Sequence, residues 1–388
     1  MIYLDNSATT KVSELARLHM LDALEHYGNP SSLHSEGMSA KAILSGSRDA
    51  LLTALGVRPG AASPFKLIFT SCGSESNNLA LRGVINAKNF RFVPKVITSD
   101  SEHPSVLEPL YDMERAGKIE LVRLTTRGGT VSEEELRSAV DGRTVLISLM
   151  LVNNETGALY DIERLFSIAK EMNPGVITHT DMTQGFLKVM PGRTYASKSV
   201  DMITVSGHKI HAPKGIAALA VRSGLLTAKK LSPLIFGGGQ EGGLRSGTEN
   251  MPGIAALHGA AEEGASRMSE GFTGKMEALR EDFISALPDG IRVNQPPVYA
   301  PHIISLTLPD IKSQTMLSYL SQRGICVSAG SACSSNGDHR SHVLLAYGLT
   351  PKEAECTIRV SLSAYTTADE LSECAKALSE GSARLVRY

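Results

Sequence analysis

The stretch DMITVSGHKIHAPKG, residues 201–215, places a lysine directly after a short apolar run. The run from Met202 to Val205 predicts a buried strand, and the Ser-Gly pair after it predicts a turn. Lys209 comes just after this turn, beyond the carboxyl end of the strand, where open α/β sheets bind their ligands. The stretch alone leaves two interpretations of Lys209 open: a ligand-binding amine, or an ordinary lysine whose ammonium group lies in solvent.

Similar apolar runs bounded by turn residues occur on both sides of this stretch, and helical patterns separate the earlier ones. The predicted strands are KLIFTS (66–71), KVITSD (95–100), TVLISLMLV (144–152), GVITHTD (175–181) and GIAALAV (215–221). The helical patterns include SNNLALRGVINAK (76–88) and DIERLFSIAKEM (161–172). This alternation predicts an α/β fold whose large domain is a mostly parallel sheet covered by helices.

The pattern changes after about residue 250, where a long helical stretch over residues 253–287 precedes a second set of strands. These strands are HIISLTL (302–308), GICVSAG (324–330) and TIRVSLS (357–363), and a closing helix follows them. The change predicts a smaller C-terminal α/β domain. We predict a large domain over residues 14–255 and a small domain over residues 1–13 and 256–388.

The composition is typical of a soluble globular protein, with 42% hydrophobic residues in a chain of 388. The 39 Lys and Arg residues nearly balance the 40 Asp and Glu residues. The net charge of -1 therefore gives no electrostatic basis for binding nucleic acid or an anionic membrane. No stretch approaches the roughly 18 apolar residues of a membrane span, and the first residues carry no basic segment followed by an apolar run. We expect a cytoplasmic protein.

The five cysteines are an odd number and form no C-x-x-C pair, which argues against a disulfide scaffold or a zinc site. Cys326 lies in a strand pattern and Cys374 in a helical pattern, so both are expected to be small core residues. Cys333 differs, because it lies in the segment SAGSACSSNGDH among turn-forming residues. A thiol in such a loop is expected to be exposed.

Two strand-to-helix turns carry residues suited to ligand binding. In FTSCGSESNNLAL (69–81), Gly73 and Ser74 open a helix whose N-terminal N–H groups can bind a phosphate. The alternative is an ordinary helix start with Ser74 as its N-cap. His103 lies at the next such turn, before Pro104, where a solvent-facing histidine is the commoner explanation.

The strand ends are expected to converge on one edge of the sheet. Asp181 ends a buried strand, where a carboxylate needs a cation or hydrogen-bond donors. A phosphate cradle at Gly73, an aromatic plate at His103, the Asp181 carboxylate, the Ser206 hydroxyl and the Lys209 amine together describe pyridoxal 5'-phosphate. That cofactor has a phosphate, a flat ring with a protonated nitrogen, and an aldehyde that condenses with lysine.

Several long motifs resemble one family almost end to end. They include YLDNSATT, YGNPSSLHSEG, SESNNLA, EHPSVLEPL, VNNETG, HTDMTQ, SGHKIHAPKG, GGGQEGGLRSGTEN, SAGSACSS, SHVLLAYGL and TIRVSLSAYTT. By these motifs the sequence resembles the cysteine desulfurases of the class V aminotransferase group. The resemblance implies the fold type I architecture of pyridoxal-phosphate-dependent transferases.

The resemblance also implies roles for individual residues. Lys209 is expected to bind the cofactor covalently, Asp181 to pair with its ring nitrogen, and His103 to stack on its ring. Gln184 and Asn154 are expected to contact the ring oxygen or hold the substrate, and Arg359 to bind the substrate carboxylate. The phosphate ligands are expected to be Gly73, Ser74, Ser206 and His208. Thr248 is expected to reach the phosphate of a neighbouring subunit, which implies a homodimer.

The implied activity is the removal of sulfur from L-cysteine, giving L-alanine and a persulfide on Cys333. The sulfur would then pass to an acceptor protein, and iron–sulfur cluster assembly and tRNA thiolation both remain possible destinations. A selenocysteine lyase would use the same residues, whereas another class V aminotransferase or lyase would need Lys209 but not Cys333. A non-catalytic scaffold for sulfur transfer is a further alternative that the intact motifs disfavour.

The sequence departs from the family pattern at a few positions. Cys72 stands where glycine is frequent, Asn77 where aspartate is common, and Gln240 where part of the family has histidine. Residues 363–365, Ser-Ala-Tyr, replace Gly-Arg-Phe-like residues. These changes leave the lysine, the aspartate and the loop cysteine in place, so they bear on substrate preference and the sulfur acceptor. Cys72 could be a packed side chain or a redox-sensitive thiol.

Overall fold

The computed structural model describes residues 1–190, 195–329 and 340–386, and a long series of strands organises this part of the chain. The strands are β1 (Ile2–Tyr3), β2 (Phe65–Thr70), β3 (Lys95–Ser99), β4 (Glu120–Leu124), β5 (Thr144–Ser148), β6 (Ile177–Asp181), β7 (Met202–Ser206), β8 (Ala217–Arg222), β9 (Arg292–Val293), β10 (Ile303–Thr307), β11 (Ile325–Cys326), β12 (Ser328–Ala329) and β13 (Thr357–Ser361). The strands from β2 to β8 form one large sheet, and β9, β10, β12 and β13 form a smaller one.

Helices connect the strands and cover the sheets. They are α1 (Glu14–Glu25), α2 (Ser35–Ala54), α3 (Gly73–Asn86), α4 (Pro104–Arg115), α5 (Glu133–Ala139), α6 (Ile162–Met172), α7 (Ser223–Thr227), α8 (Met251–Ser269), α9 (Phe272–Ser285), α10 (Ser313–Ser321), α11 (His342–Tyr347), α12 (Pro351–Glu355) and α13 (Ala368–Arg384). Among these described helices, none has an apolar stretch long enough to cross a bilayer.

The large sheet has the strand order β2-β8-β7-β6-β5-β3-β4, and its neighbours from β7 to β4 are parallel. The predicted α/β fold with a mostly parallel sheet is confirmed. Only β8 runs against its neighbours β7 and β2. Because β8 reverses direction, the chain between β7 and β8 turns back at the carboxyl edge of the sheet. Lys209 lies in this return, directly after β7.

Three predicted elements differ from the observed ones. The predicted strand over residues 144–152 ends at Ser148, and the segment 324–330 divides into β11, which pairs with β1, and β12, which pairs with β13. The helical stretch predicted over residues 253–287 is two helices, α8 and α9. They separate at Gly271, whose φ of 86° lies in the left-handed region that glycine adopts without strain.

The buried side chains separate into distinct apolar clusters. The large sheet packs against α1, α2, α6 and α8 on one side and against α3 and α4 on the other. The small sheet forms its own cluster with α9, α10 and α13, which Leu4 joins. The predicted domain boundary between residues 255 and 256 falls inside α8, whose buried residues on both sides of it belong to the large cluster. The domain limits stay a prediction.

Candidate active site

A cavity of about 390 Å³ opens at the carboxyl edge of the large sheet, beyond the ends of β5, β6 and β7. Its volume lies in the range of small-molecule sites. Ten of the site residues predicted from the sequence line it: Gly73, Ser74, His103, Asn154, Asp181, Gln184, Ser206, His208, Lys209 and Arg359. The fold therefore brings together the residues that the strand-end argument placed at this edge.

Lys209 is half-buried in the wall of the cavity, in a single helical turn that follows β7. Its Nζ donates to the carbonyl oxygens of Ser7 at 2.6 Å and Ala8 at 2.7 Å. The same N-terminal segment is fixed to this turn, because Thr10 donates to the His208 carbonyl through both its N–H and its hydroxyl. Residues 7–10 therefore position the amine from the opposite end of the sequence.

Asp181 is buried at the end of β6, with 7% of its surface exposed. Its Oδ2 accepts from Nδ2 of Asn77 at 2.8 Å, and its Oδ1 accepts from the Thr183 N–H at 2.9 Å. Within the described residues it forms no ion pair with a cationic side chain. The hydrogen-bond donors to this carboxylate are thus neutral groups. Asp181 also lines the cavity, where a bound cationic group would stabilise its charge.

A chain of hydrogen bonds joins Asp181 to His103. Nδ2 of Asn77 also donates to Oγ of Ser105 at 2.8 Å, and Oγ of Ser105 lies 2.8 Å from Nδ1 of His103. The Ser105 N–H donates to the same Nδ1, which must therefore be the unprotonated ring nitrogen. Burial lowers the pKa of His103. The ring is therefore neutral and carries its proton on Nε2.

The N-terminus of α3 forms another wall of the cavity. The helix begins at Gly73 after Cys72, whose side chain forms no capping hydrogen bond, so the alternative of a Ser74 N-cap is wrong. A Cβ on Gly73 would lie 3.4 Å from Cβ of Ser206 and 3.5 Å from Oγ1 of Thr183. Glycine therefore keeps a space open between two hydroxyl groups and a helix N-terminus, a combination that suits a phosphate.

Arg359 projects from β13 of the small sheet and is 4% exposed. Its Nη1 donates to the Asn154 carbonyl at 2.8 Å, and its Nη2 donates to Oδ1 of Asp5 at 3.0 Å. Its Nε is buried without a hydrogen-bond partner. A carboxylate entering the cavity would satisfy this donor.

Gln184 and His208 complete the wall around Lys209. Nε2 of Gln184 donates to the Ser7 carbonyl at 2.8 Å, while its Oε1 accepts from Nζ of Lys188 at 3.1 Å. Burial and the neighbouring Lys209 ammonium lower the pKa of His208 to about 4. His208 is therefore neutral near pH 7, and it can contact an anion only as a neutral hydrogen-bond donor.

Of the predicted site residues that the structure describes, one does not line the cavity. Thr248 is exposed in the segment that joins a short 3₁₀ turn at residues 240–243 to α8, and it is not among the residues that line the cavity. Cys333 lies outside the described residues. Of the other cysteines, Cys72 is exposed at the cavity, Cys374 is buried as predicted and Cys326 is half-buried in β11. No group of three or more His, Cys, Asp or Glu residues in the described part of the chain could hold a metal ion.

Several residues of the site escaped the sequence analysis. Asn77, noted only as a departure from the family pattern, is the bridge between Asp181 and Ser105. Asp5 and Ser7 belong to the quoted motif YLDNSATT, but their partners lie about 350 and 200 positions away. A motif marks such residues as candidates, whereas their hydrogen-bond partners follow only from the three-dimensional structure.

Two buried carboxyl groups lie beside the cavity. Burial raises the pKa of Glu102 to about 8, and the nearby Asp181 carboxylate acts in the same direction. Burial also raises the pKa of Glu155 to about 7, although Ser341 donates to its Oε2 at 2.5 Å. Ser341 precedes α11 and lines the cavity with Arg340 and His342. The hydrogen bond from Ser341 to Glu155 therefore connects the segment before α11 to the loop between β5 and α6.

Comparison with known proteins identifies the family. The model of the family described as aminotransferase class-V matches residues 2–373. The chain belongs to the class-V aminotransferase family. A cysteine desulfurase from Trichormus azollae is 35% identical over 384 residues, which cover 98% of this chain and 92% of that relative. The family predicted from the sequence motifs is therefore confirmed.

Solved structures agree with this membership. A NifS-like protein superimposes with a TM-score of 0.89 at 34% identity, covering 99% of this chain and 100% of that one. A structure of SspA in complex with cysteine has a TM-score of 0.79 at 31% identity, with coverage of 95% and 100%. The fold type I architecture predicted from the resemblance is confirmed.

This family depends on pyridoxal 5'-phosphate, and the residues present fit that cofactor. The open space at Gly73, between Ser206 and Thr183 at a helix N-terminus, suits its phosphate. The buried Asp181 carboxylate, held only by neutral donors among the described residues, suits its protonated ring nitrogen. The Lys209 amine lies in the same cavity and suits its aldehyde.

Proposed function

We propose that this protein is a pyridoxal 5'-phosphate-dependent cysteine desulfurase, which removes sulfur from L-cysteine and releases L-alanine. The observation that carries the proposal is the arrangement of the Lys209 amine, the Asp181 carboxylate and the Arg359 guanidinium around one cavity. These groups match an aldehyde cofactor, its cationic ring and the carboxylate of an amino-acid substrate. The similarity to relatives named cysteine desulfurase, and to a protein in complex with cysteine, supports L-cysteine as that substrate.

The proposed chemistry begins with proton transfer at the substrate. When bound, the cofactor supplies an aldehyde that condenses with amines and a ring that withdraws electrons from the substrate Cα. Lys209 would hold the cofactor through its Nζ, and its amine, once free, would take the Cα proton of the substrate as a base. Asp181 stabilises the proton on the ring nitrogen, and the hydrogen bonds from Asn77 and Thr183 hold the carboxylate in place.

Arg359 and His103 orient the reacting groups. The unpartnered Nε of Arg359 binds the substrate carboxylate, while Asp5 and the Asn154 carbonyl fix the plane of the guanidinium. His103 would stack on the cofactor as a neutral ring. Its proton is on Nε2, because Nδ1 accepts a hydrogen bond from the Ser105 N–H. A neutral ring in this place avoids a second cation beside the protonated ring nitrogen.

Cys333 performs the sulfur transfer. Its thiolate attacks the substrate sulfur, so that an S–S bond forms while the Cβ–S bond breaks and its electron pair stays on carbon. Protonation of that carbon and return of a proton from Lys209 to Cα give alanine, and Cys333 keeps the sulfur as a persulfide. An acceptor thiol can then take the terminal sulfur and restore the Cys333 thiolate.

The test is an assay of the purified protein with L-cysteine and dithiothreitol, in which sulfide and alanine are both measured. We expect equal amounts of the two products without any 2-oxo acid. Borohydride should fix the cofactor on Lys209, and Lys209→Ala should abolish alanine formation, whereas Lys214→Ala, at an exposed lysine nearby, should not. Cys333→Ala should still bind cysteine but release almost no sulfide.

Other outcomes would favour the alternatives. Alanine formation that requires a 2-oxo acid would indicate an aminotransferase, and full activity of Cys333→Ala would exclude the persulfide mechanism. A strong preference for selenocysteine in a competition assay would indicate a selenocysteine lyase. Recovery of the reduced cofactor on Lys188 or Lys214 would contradict the assignment of Lys209.

We further propose that the enzyme is a cytoplasmic homodimer that passes its sulfur to an acceptor protein. The exposed position of Thr248, away from the cavity of its own chain, supports a role in the neighbouring subunit. The four described cysteines are free thiols, as is usual in a reducing compartment. A persulfide needs a second thiol to leave the enzyme, which supports a protein partner with a reactive cysteine.

A further inference from the structure

Lys188 is a buried amine that the proposed chemistry does not use. It follows β6 by a short helical turn and is only 7% exposed. Its Nζ donates to Oε1 of Gln184 at 3.1 Å. Among the described residues it forms no ion pair with a carboxylate. Burying an amine without an anionic partner costs free energy, which makes Lys188 a candidate for a role in the neighbouring site rather than in folding stability.

The position of Lys188 connects it to the cavity wall. A small space of about 20 Å³, enough for one water molecule, is lined by both Lys188 and Lys209. Lys188 also contacts the cavity wall through Gln184, because its Nζ donates to the carbonyl oxygen Oε1 of that amide. The amide therefore turns its Nε2 toward Ser7, and its second N–H, rather than a carbonyl oxygen, is available to the cavity.

We propose that Lys188 is a positioning residue, which fixes the donor orientation of Gln184 and disfavours a proton on the cofactor-binding nitrogen of Lys209. The proposal rests on the proposed roles of Gln184 as the contact to the ring oxygen and of Lys209 as the cofactor amine. N–H donors from Gln184 stabilise negative charge on that oxygen. When the ring oxygen is stabilised as an anion in this way, the proton that it shares with the Lys209 nitrogen is lost more easily.

The charges around Lys188 act in the same direction. Burial, together with the Lys209 ammonium and the Arg359 guanidinium, lowers the pKa of Lys188 to about 7. Below that pH Lys188 is a cation that repels a proton on Lys209, and above it the neutral amine still donates to Gln184. The other cationic or titratable groups around this pair are His208, His211, His302, Arg267, Arg280 and Arg359. The anions nearby are Glu263 and Asp5, which pair with Arg267 and Arg359, and Asp181, which lines the cavity with Lys209. All three anions are unchanged in the variants below, so their effect cancels in the comparison.

The test is a pH titration of the visible absorbance of the cofactor-loaded enzyme. Lys188→Met removes both the donor and the charge while keeping the length of the side chain. In this variant we expect the pH at the midpoint of the absorbance change to rise by roughly half a unit or more, a size typical of a lost neighbouring charge or hydrogen bond. Lys188→Gln keeps a neutral donor, so its midpoint pH should rise less. Lys198→Met, at an exposed lysine, should leave the midpoint unchanged.

Thermal unfolding separates this role from a structural one. Because an apolar side chain replaces an amine that is buried without an anionic partner, Lys188→Met should unfold at the same temperature as the wild type or higher, despite the lost hydrogen bond to Gln184. A wild-type midpoint in both Lys188 variants would overturn the proposal, as would a lower unfolding temperature without a shift. If the wild-type protein did not load cofactor on Lys209, the assignment of the site would fail instead, and the two failures are distinguishable.

Discussion

At the scale of single residues, the proposed role of the Asp181 carboxylate is to let the cofactor ring withdraw electrons. Asp181→Asn replaces the anion with a neutral amide, which cannot stabilise a protonated ring nitrogen. We expect kcat to fall by about 100-fold or more, in line with the loss of a group that stabilises charge in the reaction. Cofactor should still bind, because the space at Gly73 and Ser206 is unchanged. Turnover and cofactor content measure the two effects.

Asn77→Ala provides the matched comparison for Asp181→Asn. It removes one donor to the Asp181 carboxylate and breaks the connection to Ser105, but it keeps the negative charge. Its loss of kcat should therefore be smaller than that of Asp181→Asn. Near wild-type turnover by Asp181→Asn would move the role of ring partner to another residue.

Glu102 makes the folding stability depend on pH. Its Oε1 accepts from the Met150 N–H and the Ser99 hydroxyl, whereas its Oε2 is buried without a partner. The pKa of about 8 in the folded state lies above the ordinary value of 4.5, so the folded protein binds a proton that the unfolded chain loses. The stability that Glu102 contributes is therefore present below about pH 4.5 and is lost as the pH rises through about 8.

Glu102→Gln should remove this loss, because the amide does not titrate. The free energy of unfolding of Glu102→Gln relative to the wild type should increase steadily from about pH 5 to about pH 8, as measured by urea denaturation. Glu155 titrates in the same window, but it is present in both proteins and cancels in the difference. A constant difference across this range would show that Glu102 is ionised in the folded protein.

At the scale of elements, the N-terminus of α3 is expected to bind the phosphate. Gly73→Asp places a carboxylate in the open space between Ser206 and Thr183, where it would repel and displace that anion. We expect at least about a tenfold loss of affinity for pyridoxal 5'-phosphate. The same acidic side chain complements the helix dipole, so the free energy of unfolding should stay unchanged or rise by roughly 0.5 kcal/mol.

Gly46→Asp is the control for this change, because Gly46 is exposed on α2 and a side chain there would meet no neighbouring atom. It adds the same charge far from the N-terminus of α3 and should leave cofactor affinity unaltered. Fluorescence titration of the apoprotein with the cofactor measures both variants. Equal affinities in Gly73→Asp and Gly46→Asp would place the phosphate elsewhere.

The elements also show how far the sequence could predict the molecule. Apolar periodicity and turn residues placed β2, β3, β6, β7 and β8 within a few residues, and the strand-end rule then located the cavity. The break at Gly271 was not predicted, because the residues on both sides of it continue a helical pattern and only the left-handed φ ends the helix. The bridge through Asn77 was not predicted either, because a hydrogen bond between separate elements leaves no periodic signal.

At the scale of the whole molecule, the proposal that Thr248 contributes to the site of a neighbouring subunit makes a specific prediction for mixed dimers. Lys209→Ala lacks the cofactor amine, and Thr248→Asp would repel the phosphate in the neighbouring subunit. Each variant alone should be inactive. In a mixed dimer, the subunit with intact Lys209 would receive the intact Thr248 of its partner, so one of its two sites would be restored.

Unfolding and refolding the two variants together in equal amounts should therefore recover about a quarter of the wild-type activity, because half of the dimers are mixed and each has one intact site. Sulfide release, measured beside the separately refolded variants, gives the comparison. No recovery would mean that Thr248 acts within its own chain. A single species of monomer mass in sedimentation would contradict the proposed dimer itself.

The contacts of the N-terminal segment also determine when the site can form during protein synthesis. β1 pairs with β11, and Asp5 binds Arg359, 354 positions later in the chain. At about 5–20 residues per second, a ribosome needs roughly 20–70 seconds to make the intervening chain. During this time residues 2–7 lack their native partners in β11 and β13, so the segment whose carbonyl oxygens accept from Nζ of Lys209 is not yet anchored. We therefore expect cofactor capture to follow translation of β13.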